Sequence, residues 1–242
     1  MLNARTHTVT SGAVADHEVA PYGELVKRYG LPAAAQLMLA EVPPGARVLD
    51  VGCAIGYLAE QLTTRGCTVI GFERHRPSAA AAEAHCEQVI VGDIEAEADR
   101  VRIEGSFDVV LLGDVLEHLV DPWDTLRFVG SVLSKSGVVV ASIPNVASWP
   151  VRLALLRGSF DYANVGLMDR THLRWFTRAS ARELARTAGF EVERERFSPI
   201  EVPPGRLRRA LPRVTDVAVK TILRIWPELM AQQFILRLRP CG

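Results

Sequence analysis

Three side chains with acid–base chemistry follow one short apolar run: Asp114, Glu117 and His118 in FDVVLLGDVLEHL. If a helical turn forms there, the three lie three and four residues apart and share a face. Carboxylates beside an imidazole at that spacing hold a divalent ion or take a proton from a reacting hydroxyl. A second histidine, His172, lies among Asp169, Arg170 and Arg174 in LMDRTHLRWFT. Asp114, Glu117, His118 and His172 are therefore candidate metal ligands, and His118 and His172 candidate general bases. The plainer alternative is a histidine that only orders the loop after its strand.

A second group surrounds a glycine turn. In Val48–Gly56, VLDVGCAIG, a strand runs through Asp50 and Gly52 into a turn that opens a helix at Gly56. Such a turn lets backbone N–H groups approach a ligand closely. Dinucleotide sites use G-x-G-x-x-G; here the order is Asp50-x-Gly52-x-Ala54-x-Gly56. An anionic Asp50 opposes a pyrophosphate and suits an amino-bearing or cationic ligand. Glu73 ends the next strand, where a carboxylate accepts both ribose hydroxyls. Asp93, in VGDIE, ends the third and is placed to accept from an adenine amino group. A strand-end acid alone more often caps a helix; three in succession point to a nucleoside.

The elements that must position these residues alternate. Strands are predicted at Arg47–Val51, Thr68–Phe72, Gln88–Val91, Phe107–Leu112 and Gly137–Ile143. Helices are predicted at Ile55–Arg65, Pro77–His85, Trp123–Leu133 and Arg178–Ala188, with an earlier one within Pro21–Glu41. Short apolar runs separated by helices imply right-handed βαβ units. Phe190–Phe197 and Gln233–Leu238 read as two late strands. The expected fold is α/β: a Rossmann-like, doubly wound, mainly parallel seven-stranded sheet with an antiparallel edge hairpin. Residues 1–20 are expected to be a tail or lid, and 21–242 one domain. The span 145–175 reads as an irregular insertion shaping the acceptor site.

The strand-end motifs together resemble the class I S-adenosylmethionine-dependent methyltransferases over roughly residues 20–200. VLDVGCAIG, GFE, VGDIE, FDVVLLGDVLEHL and SGVVVASIPN all have counterparts there. The resemblance implies that Asp50, Gly52 and Gly56 surround the methionine part of the cofactor, and that Glu73 takes the ribose. It implies that Asp93 and Ile94 take the adenine, and that Gly113 offers its backbone to the amino group. Ala54 stands where the family usually has a middle glycine. The order D-x-x-E-H, then a later histidine, is similar to quinone-biosynthesis O-methyltransferases. It is also similar to small-RNA 2′-O-methyltransferases, where such residues bind a metal beside the acceptor hydroxyl. Residues 145–175 further resemble methyltransferases of polysaccharide and natural-product pathways.

Composition narrows the partners. The 28 basic and 28 acidic residues cancel, which argues against a general polyanion binder. Four cysteines without metal spacing read as reduced cytoplasmic thiols. The first 14 residues lack an apolar signal core, and no apolar run approaches the roughly 18 residues of a membrane span. Residues 206–230 form a basic, amphipathic segment, suited to peripheral membrane contact or to a homodimer.

The expected function is S-adenosylmethionine-dependent O-methylation of a small molecule or saccharide in a biosynthetic pathway. A histidine base or a divalent ion such as Mg²⁺ would serve at the acceptor. A nicotinamide-dependent oxidoreductase would also use Glu73, but the missing G-x-G-x-x-G and the extra Asp93 count against it. RNA methylation lacks a basic, aromatic platform. A non-catalytic nucleoside-binding module would bind cofactor without turnover.

Overall fold

The computed structural model describes Val26, residues 30–200, Val219 and residues 221–241. The expected tail 1–20 lies outside these residues, as does the basic segment from 206 to 218. The described residues give seven strands: β1 (Arg47–Val51), β2 (Thr68–Glu73), β3 (Gln88–Val91), β4 (Phe107–Gly113), β5 (Leu133–Pro144), β6 (Phe190–Pro199) and β7 (Ala231–Pro240). They form one sheet in the order β3-β2-β1-β4-β5-β7-β6. The first five run parallel, and β7 runs antiparallel to both β5 and β6.

Both faces of the sheet are apolar because successive strand residues point to opposite sides. Val48, Val69, Val109, Leu111 and Val140 pack with Met38, Leu58 and Leu62 on one side. Those last three come from the helices α1 (Ala33–Leu39) and α2 (Tyr57–Thr63). Leu49, Phe72, Val110, Leu112 and Val139 face the other side. They meet Leu126, Val129 and Leu184, which come from the helices Pro122–Ser131 and Arg178–Thr187.

Strand order reverses between β1 and β4. The crossovers leave in opposite directions there, which opens a crevice beyond the strand C-termini. Asp50 and Gly52 flank it from β1, and Gly113 and Asp114 from β4.

Three details differ from the pattern read in sequence. Residues 145–175 are not wholly irregular: Trp149–Leu156 is helical, with Pro150 near its start, where a missing N–H costs nothing. The early helix is interrupted, since Gly30 has φ +81 and Pro32 caps a new helix at Ala33. The two late strands do pair, but β7 sits inside, between β5 and β6. An antiparallel strand there carries its own N-terminal end to the crevice. Gln233 thereby pairs with Pro144 and reaches the end of β4.

Candidate active site

The glycine turn is built on unusual backbone. Gly52 has φ +71, and a Cβ there would lie 2.7 Å from Val115 Cγ2. Gly56 has φ +81, and its added Cβ would lie 3.0 Å from the Ala82 Cα. Ala54, at φ +49, takes the left-handed conformation with a side chain and bears the strain. A Gly56→Ala variant is expected to lose about 1–3 kcal/mol of stability. Its contact is with backbone, which cannot swing aside. Chemical denaturation checks this, and an unchanged midpoint contradicts it.

Glu73 organises the turn. One carboxylate oxygen accepts from the Ala54 N–H at 2.9 Å, the other from the His75 N–H at 2.7 Å. Asp93 likewise accepts from the Glu95 N–H at 3.0 Å. Both acids thus bond backbone N–H groups of turns and do not cap the helices Arg76–Ala82 and Glu97–Arg100 that follow, and each of these oxygens keeps a further lone pair. Ile94 is buried, and Gly113 lies against Met38, whose Cε is 3.5 Å from where a Cβ would stand.

Asp50 is 2% exposed, and its Oδ2 has no hydrogen-bond partner. Burial, and secondly the charge of Glu73, push its pKa up to about 7. A buried carboxylate oxygen without a hydrogen-bond partner is stabilised by a cation that approaches it.

The D-x-x-E-H segment does not make one helical face. Asp114 takes a left-handed φ of +53, and only Leu116–His118 turn, as a single 3₁₀ turn. Asp114 keeps its own hydrogen-bond partners, although its charge still reaches Glu117 and His118. Its Oδ1 accepts from the Ser142 hydroxyl at 2.8 Å and the Gln233 amide at 2.6 Å. Ser142 and Gln233 are site residues that sequence reasoning missed. Nothing local marks a glutamine some 120 positions downstream.

Glu117, His118 and His172 do come together. One ligand atom from each lies within 4.8 Å of the others. Asp114, proposed as a fourth ligand, is not in this group. The Glu117 carbonyl binds the distant loop directly, accepting from Leu173 N at 2.8 Å and Arg174 N at 3.0 Å. The two imidazoles stand edge to face with centroids 4.7 Å apart. His118 Nδ1 lies 3.1 Å from the Thr171 hydroxyl and 3.3 Å from the Thr171 carbonyl; the hydroxyl gives its own proton to Asp169 at 2.7 Å, so both oxygens accept and these partners assign the proton to Nδ1. Nε2 is then left with its lone pair free, the usual arrangement of a ligating or basic histidine.

Burial sets the charges of this group. Desolvation lowers both His118 and His172, with the neighbouring His118 adding to the effect on His172. Desolvation, then the Asp114 charge, raises Glu117 well above an ordinary carboxyl. Both Glu117 oxygens are buried and lack hydrogen-bond partners. Beyond the cluster, Phe160, Tyr162 and Trp175 form an aromatic trio, with ring centroids 5.6–6.2 Å apart.

The family described as "Methyltransferase domain" matches residues 23–195, well over half of the chain. The chain belongs to this family, as a class I S-adenosylmethionine-dependent methyltransferase. It is 32% identical to a ubiquinone biosynthesis O-methyltransferase of Ralstonia nicotianae, over 61% of this chain and 67% of that protein. It is 34% identical to the enzyme of the same name from Psychrobacter cryohalolentis, over 61% and 65% respectively. The matches thus take in about two thirds of each relative. A TehB-like methyltransferase from Corynebacterium glutamicum shares the fold, with a TM-score of 0.58 at 17% identity, covering 92% of this chain and 95% of that one. The nicotinamide-dependent reading is set aside by this family membership.

Proposed function

We propose that the protein transfers the methyl group of S-adenosylmethionine to a hydroxyl of a small aromatic acceptor, a phenol or catechol. The observation that carries this is the Glu117, His118 and His172 cluster at the end of β4, beside the crevice. The sulfonium is already activated, so the protein chiefly has to align the acceptor and remove its proton. A free Nε2 on neutral His118 is available for that proton. The aromatic trio, its rings inclined to one another by 52–89°, offers a ring-shaped acceptor apolar faces and edges to pack on. The relatives named for ubiquinone biosynthesis support a phenolic hydroxyl rather than a saccharide as the acceptor.

The cluster also fits a divalent ion. Two partnerless carboxylate oxygens and two neutral imidazoles form a donor set that a cation satisfies. Imidazole ligands favour a first-row transition ion over Mg²⁺, which prefers oxygen. Glu117, His118 and His172 would hold it. Such an ion would lower the pKa of a bound hydroxyl.

The test is methyl transfer from labelled S-adenosylmethionine to a panel of catechols, monosaccharides and short RNAs. Transfer to catechols is expected. Transfer confined to sugars or RNA would overturn the acceptor assignment. Chelation followed by Zn²⁺, Mn²⁺ or Mg²⁺ is expected to abolish and then restore turnover, most fully with a transition ion. Indifference to the chelator would leave the proton to histidine alone.

A further inference from the structure

Two cysteines meet behind the glycine turn, outside the residues used above. Cys53 immediately follows Gly52, and Cys86 lies just before β3. Both converge on Gly71, in the middle of β2. A Cβ on Gly71 would stand 2.8 Å from the Cys53 sulfur and 3.2 Å from the Cys86 sulfur. The missing side chain makes the space in which the two sulfurs face one another. Their accessibility differs: Cys53 is 2% exposed, whereas Cys86 is only partly buried. One thiol is open to a solute and the other is sheltered behind it.

We infer that Cys53 and Cys86 form a peroxide-sensitive dithiol whose oxidation to a disulfide reshapes the glycine turn and withdraws the cofactor site. The chemistry assigns separate parts to the two sulfurs. Cys86 is the accessible nucleophile; hydrogen bonding with Cys53 lowers its pKa, against the effect of burial. Its thiolate attacks hydrogen peroxide, the O–O bond breaks, and Cys86 becomes a sulfenic acid as hydroxide departs and is protonated to water. The Cys53 sulfur then attacks the Cys86 sulfur. The S–O bond breaks, and the hydroxyl leaves with the Cys53 proton as a second water. Two thiols are oxidised and one peroxide is reduced to two waters. Pairing with Cys86, burial and the Asp50 charge raise the Cys53 thiol, so it does not compete as first nucleophile.

The consequence follows from position. A disulfide holds its sulfurs about 2.05 Å apart, much closer than two thiols sit. Cys53 carries the turn with it: its amide hydrogen-bonds to the Phe72 carbonyl at 3.3 Å, and the Ala54 amide to Glu73 at 2.9 Å. Drawing Cys53 toward Cys86 strains both bonds at the place where cofactor is expected. This consequence, though not the disulfide itself, rests on the glycine turn being the cofactor site.

The experiment treats the full-length protein with hydrogen peroxide, in a Cys241→Ser background that removes the exposed thiol. Peptide mapping is expected to find Cys53 joined to Cys86, two hydrogens lighter than the free pair. S-adenosylhomocysteine affinity, by calorimetry, is expected to fall at least tenfold and to return with dithiothreitol. A Cys86→Ser variant is expected to bind as the reduced protein does and to keep that affinity in peroxide. Absence of the Cys53–Cys86 link overturns the inference, as does a linked protein that binds undiminished. Failure of the reduced protein to bind at all counts against the cofactor assignment instead, and the peptide map still decides the disulfide.

Discussion

Replacing Glu117 with Gln is expected to lower methyl transfer by about 10²–10⁴-fold and to leave S-adenosylhomocysteine affinity unchanged. The split follows from where this residue acts. Its carboxylate is grouped with His118 and His172 on the acceptor side, not with the glycine turn. Its backbone carbonyl, which ties down Leu173 and Arg174, is untouched by the substitution. The fold is therefore expected to persist, as a thermal melt would verify. His172→Ala, which removes the partner from the other segment, is expected to give a loss of the same order. Metal content by elemental analysis should fall in both variants. Wild-type turnover in both would remove the cluster from the mechanism.

Asp50→Asn is expected to trade affinity for stability, with a sign that depends on pH. The folded-state pKa of Asp50 is pushed up to about 7, against 3.8 for an ordinary aspartate. Between those values the folded chain keeps a proton that the unfolded chain has lost. Stability accordingly falls as pH rises from about 4 to 7. Above 7 the ionised, buried carboxylate costs the cofactor-free protein roughly 4 kcal/mol by this shift. The asparagine variant does not bear that cost. It is expected to melt higher than wild type at pH 8 and alike at pH 4. Its affinity for S-adenosylhomocysteine should nonetheless drop about 10- to 100-fold, as a charge-assisted hydrogen bond to the ammonium is lost. Wild-type affinity should itself strengthen from pH 6 to 8, because the ionised form is the one that pairs with the cation. Calorimetry and melts at two pH values measure all of this. Equal affinities for the two proteins would remove Asp50 from the cofactor site.

Much of the scaffold is legible in the residues themselves. The runs RVLDV, TVIGFE, QVIV and FDVVLLG are short, apolar and bounded by glycine or acid, and each became a strand of the parallel core. Such signals are local: a buried parallel strand needs apolar side chains on both faces, so its own composition declares it. The glycine turn is equally legible, since Gly52 and Gly56 stand where positive φ is required. The strand-end acids Asp50, Glu73 and Asp93 are adjacent to these signals and are legible with them.

The acceptor side is another matter. Spacing alone put Asp114, Glu117 and His118 on one helical face, whereas a left-handed Asp114 and a single 3₁₀ turn separate them. The hydrogen bonds that engage the Asp114 carboxylate come from Ser142 and Gln233, residues from two other strands. Gln233 reaches it only because β7 inserts antiparallel between β5 and β6. His172 is brought to Glu117 from more than fifty positions away by its neighbours Leu173 and Arg174, whose N–H groups bond the Glu117 carbonyl. Cys53 and Cys86 meet only over the bare Cα of Gly71. By itself, then, the sequence determined the parallel sheet, its glycine turn and the acids at its strand ends. The tertiary structure alone decided which acid joins the two histidines, which keeps other partners, and which thiols face each other. The physical reason is range: strand and turn preferences are set by neighbours along the chain, while a site of converging side chains is set by strand order and register.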